Sequence, residues 1–204
     1  MRFGVKHRVE SRERILQSAA AHFRSEGTEA VSVRDVMQAA GMTHGGFYKH
    51  FADKDQLLHE AIKKALADVS AQIAKLTEGM PRPMALKRVI DFYLSEDHMR
   101  HPNLGCALAA LGTEMARMEP RMKKEVSKAL DAYAEGLSFL MPGQTPVQQQ
   151  AAFLVLFPSM AGCIMTARAH SSRQRKGRLL AAARAFFTQA FCSEATSAFP
   201  EVGQ

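Results

Sequence analysis

Apolar residues recur along this chain at intervals of three and four, which is the spacing of one face of an α-helix. Alternating β-branched patterns are scarce, and Ala, Leu, Met, Lys, Arg and Gln dominate the composition. The pattern therefore predicts an all-α protein with a basic N-terminal arm (residues 1–8) and a frayed end over the final dozen residues. The predicted helices are 9–25, 33–40, 43–50, 53–79, 83–97, 105–118, 119–141, 144–169 and 176–192.

Two of these helices are short and adjacent. The apolar stripe of the first is preceded by Ser32, with Asp35 three residues later, which is the signature of a helix N-cap. Gly41 follows the stripe and can supply the left-handed residue that ends the helix. Thr43 is the next N-cap candidate. The apolar stripe consists of Val33, Val36, Met37 and Ala40.

The second short helix has two contrasting faces. Phe47 and Phe51 are four residues apart, so they share one face and are expected to be buried. The neighbouring face is polar, basic and aromatic and contains no acid. An ordinary helical hairpin with a solvated polar face is the alternative, but two glycines inside a helix, each costing ~1 kcal/mol relative to Ala, favour close approach to a ligand. The stretch is predicted to be a helix-turn-helix with a recognition helix at Thr43–His50.

Ten residues are candidates for contact with DNA, and they divide by the chemistry of their side chains. Arg34 could equally contact a phosphate or be a solvated surface residue, and His50 could instead be a buried capping residue. Donors to phosphates fix the position of a protein on DNA, whereas residues near base edges read its sequence. The predicted phosphate donors are Ser32, Thr43, Tyr48, His50 and Lys54. The candidates near base edges are Arg34, His44, Gly45, Gly46 and Lys49.

Net charge does not locate this DNA site, but local arrangement does. Lys49 and Lys54 can gather on one side with the basic residues of the N-terminal arm, which are Arg2, Lys6, Arg8, Arg12 and Arg14. The formal charge is +7, but residues 1–60 hold 9 basic residues against 8 acidic ones. The excess is larger in residues 141–204, which hold 6 basic and 2 acidic residues. The three cysteines form no paired framework, which favours a reducing cytosol. The chain opens on charged residues rather than a signal peptide, and no apolar run approaches the ~18 residues of a membrane span.

The helices from Pro83 to Ala169 are rich in Met, Phe, Tyr and Leu, which suits a pocket for an apolar or aromatic effector, although such residues are more often plain core. The candidate pocket residues are Phe92, Met115, Phe157 and Met160. The last two helices carry more apolar residues than one chain can bury. We therefore predict that they form the interface of a homodimer, and the alternative is that they are simply core. The candidate interface residues are Ala161, Gly162, Met165, Phe186 and Phe187.

Cys106 follows Gly105 at a predicted helix start, where the helix dipole favours a thiolate. It is either a small buried residue or a sensor. His98 and His101 lie close to it in sequence and make a metal site a third alternative, although no fourth ligand is evident. No P-loop, GxSxG, HExxH or CxxC motif is present. The sequence therefore predicts neither an enzyme nor a bound metal or cofactor.

The run from Ile15 to Ile62 resembles the DNA-binding domain of the TetR family of bacterial regulators. The resemblance implies a DNA-binding domain over residues 1–54 and an effector-binding and dimerisation domain over residues 55–204. Thr28 and Gly46 depart from the family pattern, and the segment around Cys106 resembles the electrophile-sensing, NemR-like members. The matching pieces are Phe23, Gly27, Val31-Ser32-Val33, Ala40-Gly41-Met42-Thr43, Gly45, Phe47-Tyr48, His50-Phe51, Lys54 and Leu57.

The predicted function is a homodimeric repressor in the bacterial cytoplasm, located at the nucleoid when it binds a double-stranded palindromic operator. A small apolar or aromatic effector is expected to release it. One alternative is a redox or electrophile sensor switched by Cys106. Another is a helical protein that binds an acidic partner other than DNA, and specific binding to a palindromic duplex would exclude it.

Overall fold

The computed structural model describes residues 2–193, with side chains from residue 6 onward. The predicted frayed end, apart from Ser193, lies outside the described residues. The described residues form nine α-helices and two short 3₁₀ helices without a strand, so the all-α prediction is confirmed. The α-helices are α1 Arg2–Glu26, α2 Val33–Ala39, α3 Lys54–Thr77, α4 Arg82–Tyr93, α5 Glu96–Arg100, α6 Ala107–Arg117, α7 Pro120–Ser138, α8 Pro146–Ala169 and α9 Arg173–Cys192. The 3₁₀ helices are His44–Lys49 and Pro102–Leu104.

The predicted helix-boundary signals are present in the structure. Ser32 caps α2, and its side chain and that of Asp35 form a reciprocal capping box. The carboxylate of Asp53 accepts from the N–H of Gln56 at 2.7 Å, so it caps α3. Gly27 and Gly41 follow α1 and α2 with φ of 83° and 72°, a conformation that only glycine adopts without strain.

Three predicted elements differ from the structure. Residues 2–8 are not an arm but the first turns of α1, because no proline separates them from residue 9 and Lys6 pairs with Glu10 one turn later. The predicted polar loop 96–104 contains α5 and a 3₁₀ turn, and Ser95 caps α5 by accepting from the N–H of His98.

The recognition helix is 3₁₀ rather than α. The N–H of Gly46 donates to the carbonyl of Thr43 at 3.0 Å, which is an i to i+3 bond. Two successive glycines and a length of six residues disfavour regular α-helix propagation. Thr43 occupies the N-cap position as predicted, but its side chain makes no capping hydrogen bond.

The chain divides into two compact units, and the first comprises Met1–Ala67 with Pro102–Ser127. Its core forms where α1 meets α2, α6 and the Pro102–Leu104 turn. Apolar residues on the predicted inward faces supply this core, so those faces are confirmed. The predicted domain boundary at residue 54 stays a prediction. The core residues include Ile15, Ala19, Phe23, Val36, Met37, Phe47, Phe51, Leu57, Ile62, Ala107, Leu111, Met115 and Val126.

The second unit comprises Asp68–His101 with Lys128–Gln204. Within it α9 packs on both α4 and α8, and α5 packs on α8. Thr145 caps α8 through a capping box with Gln148, and Pro158 lies inside that helix. By length and composition alone α8 could cross a membrane, which corrects the expectation that no segment is apolar enough. This is weak evidence for a membrane span, because a core helix passes the same test and half of the apolar window is buried within the chain.

Candidate nucleic-acid interface

The recognition helix rests on two buried aromatic rings. Phe47 is 1% exposed and its ring stacks on that of Phe51, with 5.7 Å between the ring centroids. The N–H of Met42 donates to the carbonyl of Met37 at 2.8 Å, which closes the turn after α2. Phe51 is 2% exposed, so the predicted burial of both phenylalanines is confirmed. This packing gives a very short helix a fixed orientation that it could not maintain alone.

The opposite face of the recognition helix is open to solvent. Tyr48 is 70% exposed and stands edge-on to the ring of Phe47, with 5.3 Å between the centroids. Apart from its neighbours in the helix, a Cβ placed on Gly45 would meet no atom of the described residues within 4 Å, so packing does not require glycine there. The surface consequently lets another molecule approach the backbone at this point. Thr43, His44, Gly45, Tyr48 and Lys49 are all exposed.

Two predicted phosphate donors have partners within the protein. The hydroxyl of Ser32 donates to the carboxylate of Asp35 at 2.6 Å, and the hydrogen bonds from Ser32 lower the pKa of that carboxyl. The ammonium of Lys54 donates to the carbonyl of Thr28 at 2.6 Å. Either side chain would have to exchange these bonds to reach a phosphate. Arg34 is exposed on α2. The predicted contacts of Ser32, Arg34 and Lys54 with DNA stay predictions.

His50 ends the recognition helix and is half-buried. Its backbone N–H donates to the carbonyl of Phe47 at 2.8 Å. Its Nδ1 atom is buried and has no hydrogen-bond partner among the described residues. Burial lowers the pKa of His50, and the positive charges of Arg8 and Arg12 lower it further, since the ring would carry a positive charge of its own.

The free protein is expected to lose stability as the pH falls from 7 to 5. Burial lowers the pKa of both His50 and His59 below the ordinary value of 6.5, so the unfolded chain takes up protons that the folded chain resists. This contribution to stability is fully present above pH 6.5 and is lost as the pH falls below it. Thermal unfolding at pH 7, 6 and 5 should show a smaller decline for the His50→Gln, His59→Gln double variant. An equal decline in both proteins would contradict this origin.

Two features of the structure go beyond the sequence prediction that Lys49 and the basic N-terminal residues gather on one side. His7, Arg8 and Arg14 line an open cleft beside Lys49 and His50, because α1 continues through residues that were expected to be an arm. The helical spacing of residues 7, 8, 11, 14 and 15 was the signal for this placement.

Arg24 of α1 is buried, and its guanidinium donates to the carbonyls of Ala20 at 2.8 Å and Gly105 at 2.6 Å. Its position four residues after the buried Ala20 could have shown that it points inward. A buried arginine thus connects α1 to the residue that precedes Cys106.

Cys106 is 2% exposed and occupies the N-cap position of α6 in the first unit. His98 and His101 belong to the second unit, and the Nδ1 of each lies within 2.9 Å of a backbone carbonyl oxygen. Among the described residues, no group of three or more His, Cys, Asp or Glu side chains could hold a metal ion.

The predicted effector residues are divided between the units. Met115 belongs to the core of the first unit, as Cys106 does, whereas Phe92, Phe157 and Met160 belong to the second. Phe157 is at the centre of an aromatic cluster in the second unit. Its ring centroid lies 4.4 Å from Phe153, 5.9 Å from Tyr133 and 6.0 Å from Tyr93, and all four rings are buried.

The predicted interface residues differ in exposure. Ala161 and Phe187 are already buried within the chain, whereas Gly162, Met165 and Phe186 lie on its surface. Leu154 and Val155 are exposed on α8 at helical spacing from Gly162 and Met165, so α8 presents an apolar stripe to solvent. Phe186, on α9, is 64% exposed. Exposed apolar residues in such a row are characteristic of protein interfaces.

Comparison with known proteins identifies the class to which this fold and surface belong. Residues 15–61 match the family model of bacterial regulatory proteins of the tetR family. An uncharacterized helix-turn-helix-type transcriptional regulator from Mycobacterium tuberculosis is 28% identical over 165 residues, which cover 77% of this chain and 84% of that protein. The helix-turn-helix-type transcriptional repressor KstR2 from the same organism is 32% identical over 81 residues, 39% of this chain and 40% of KstR2.

Solved structures show the same fold. A TetR transcriptional regulator from Chloroflexus aurantiacus aligns with a TM-score of 0.68 at 22% identity, over 91% of this chain and 98% of that one. The reduced form of NemR from Escherichia coli aligns with a TM-score of 0.66 at 17% identity, over 85% and 95% of the two chains. At these identities the likeness concerns the fold.

An N-terminal helix-turn-helix domain joined to a larger helical domain defines a transcriptional regulator rather than an enzyme. Residues 15–61 form a DNA-binding domain of the TetR family of bacterial regulators, as the resemblance in the sequence implies.

Proposed function

We propose that the protein is a homodimeric repressor that binds a palindromic operator through the exposed face of its recognition helix. The observation that carries this proposal is the division of one short helix into a buried aromatic side and an acid-free solvent side. Tyr48 and Lys49 supply donors on that side, and Gly45 permits close approach of the backbone to DNA. A regulator of this kind acts in the cytoplasm.

The apolar stripe of α8 and the exposed Phe186 of α9 support the dimer. Pairing of α8 and α9 with their copies would bury side chains that a monomer leaves in water. A two-fold axis then presents two recognition helices to half-sites separated by a whole number of helical turns, ~34 Å each. The palindrome follows from that symmetry.

A small apolar or aromatic effector is proposed to bind in the second unit near Phe157. Phe157 and three neighbouring rings form this aromatic cluster, and the centroids of contacting rings are 4.4 to 6.0 Å apart. Aromatic side chains of this kind commonly line ligand pockets. The effector weakens operator binding only if it prefers one of two protein states. The burial of Cys106 argues for this reversible mechanism over the electrophile sensor, because a reagent would reach the thiol only after local opening.

Replacing Tyr48 by Ala is expected to weaken operator binding by roughly 10- to 150-fold, the value of a hydrogen bond to a charged phosphate. The thermal midpoint should change little, because the side chain is 70% exposed. Fluorescence anisotropy with a duplex selected in vitro from a random library measures the affinity.

Two variants serve as controls for that experiment. Tyr48→Phe separates the hydroxyl from the ring, and Phe139→Ala removes an exposed aromatic residue of the second unit. Affinity in Tyr48→Ala equal to wild type would remove Tyr48 from the DNA contact. Binding without preference for any duplex sequence would instead favour the alternative function, in which the protein binds an acidic partner other than DNA.

A further inference from the structure

We propose that the cleft between the first turns of α1 and the recognition helix binds a phosphate group of the operator backbone. This inference rests on the proposed DNA-binding function and extends the contact surface beyond the helix-turn-helix. The cleft has a volume of about 770 Å³ and is open to solvent. Its cationic and titratable lining residues are His7, Arg8, Arg14, Lys49 and His50.

Helical geometry gathers these groups. His7, Arg8, Ser11 and Arg14 are spaced so that they lie along one side of α1. The guanidinium of Arg8 donates to the carbonyl of Lys49 at 3.2 Å, so α1 is attached to the end of the recognition helix. This bond links the two sides of the cleft before DNA arrives, and such preorganisation lowers the conformational cost of binding.

Within the described part of the chain, the arginine and lysine side chains that line the cleft form no ion pair. Arg12 forms an ion pair with Glu60 and lies 4.8 Å over the ring of Phe51, and Lys6 pairs with Glu10. In contrast, no carboxylate among the described residues pairs with Arg8, Arg14 or Lys49, and none lines the cleft.

Guanidinium and ammonium groups without a carboxylate partner are suited to phosphate, and arginine binds it in a bidentate manner. His50 adds an Nδ1 atom that is buried and lacks a hydrogen-bond partner in the described structure. In the neutral tautomer that carries its proton on Nδ1, this nitrogen would donate to an oxygen of the phosphate.

The position of the cleft selects the DNA backbone as the source of this phosphate. A recognition helix in the major groove has a phosphate strand on either side, and Gly46 and Lys49 belong to both the recognition helix and the cleft. A backbone phosphate beside the helix can therefore enter the cleft while the exposed face contacts the bases. This contact positions the protein and does not read sequence.

The proposal is tested by Arg14→Gln and by the Arg8→Gln, Arg14→Gln double variant. Each is expected to weaken binding to the selected operator and to a scrambled duplex of equal length by about the same factor, roughly 10-fold for the double variant. The slope of log K against log salt should fall in magnitude by about 0.9 for one lost phosphate contact. Titrations at four salt concentrations give both quantities.

Arg88→Gln is the matched control, because it removes the same charge from an exposed arginine of the second unit. Since Arg8 also bonds to Lys49, the single Arg14 variant separates loss of a phosphate contact from displacement of the recognition helix. If both cleft variants kept the wild-type slope and affinity while Tyr48→Ala was still impaired, the phosphate site would be overturned and the proposed DNA-binding function would stand. Failure of wild-type protein to prefer its operator would overturn the proposed function instead.

A separate titration with inorganic phosphate at constant ionic strength distinguishes the backbone from a free anion. Free phosphate is expected to bind weakly and to be displaced by the operator duplex. Saturable phosphate binding that depends on Arg14 and persists in the DNA complex would assign the cleft to a free anion and overturn the proposal.

Discussion

The Leu154→Glu, Phe186→Glu double variant is expected to be monomeric and to bind its operator at least 100-fold more weakly than wild type. Linking two binding modules raises overall affinity by roughly 10²–10⁴ without any new contact, and a monomer loses that gain. Sedimentation velocity measures the oligomeric state, and fluorescence anisotropy with full and half operators measures the affinity. Binding to a half operator should be almost unchanged.

The physical basis is the exposure of both side chains in the single chain. Leu154 is 59% and Phe186 64% exposed, so a carboxylate at either position stays solvated in the monomer. In the proposed interface the same carboxylate would be buried, at a cost of several kcal/mol unless it found a partner. The substitutions therefore act against the dimer rather than against folding.

Met84→Glu is the control for this double variant, because Met84 is 63% exposed but lies on α4, which carries none of the proposed interface residues. It should remain dimeric with wild-type affinity. A dimer of the double variant at micromolar concentration, with a normal thermal midpoint, would contradict the proposed interface. Exposed residues of other helices would then be the first candidates for the contact.

The sequence predicts those parts of the fold that depend on local signals. The periodicity of apolar residues places Phe47 and Phe51 inside, because side chains four residues apart share one helical face. Ser32 and Asp53 are identified as caps because their side chains bond to backbone groups only three residues away. Such signals are independent of the remainder of the chain.

The features that the sequence does not predict depend on contacts between distant segments. The cleft requires the side chains of α1 to meet Lys49, which is 41 residues away from Arg8. Arg24 is buried because Gly105, 81 residues later, offers a carbonyl oxygen to its guanidinium. The hydrogen bond from Lys54 to the carbonyl of Thr28 likewise joins residues 26 positions apart, so no local sequence pattern predicts it. A charged residue in a sequence is solvated by default, and only tertiary structure shows which charge has a buried partner.

Phe47→Ala is expected to destabilise the first unit by about 3–5 kcal/mol, the usual cost of truncating a buried phenylalanine. Phe47 is 1% exposed and its ring contacts those of Phe51 and Tyr48, so truncation leaves a cavity directly beneath the recognition helix. A loss of this size is a large fraction of the 5–15 kcal/mol typical of a folded domain. Thermal unfolding, together with amide hydrogen exchange across residues 33–51, measures it.

Tyr48→Ala provides the comparison, because the two residues are adjacent and both aromatic but lie on opposite faces of one short helix. The Phe47 variant should lose operator binding through unfolding, with a lowered thermal midpoint and faster exchange in α2. The Tyr48 variant should lose binding with both measurements close to wild type. A stable Phe47→Ala protein with protected amides would mean that contacts other than the Phe47–Phe51 stack orient the recognition helix. The burial of that stack would then not explain how so short a helix presents Tyr48 to DNA.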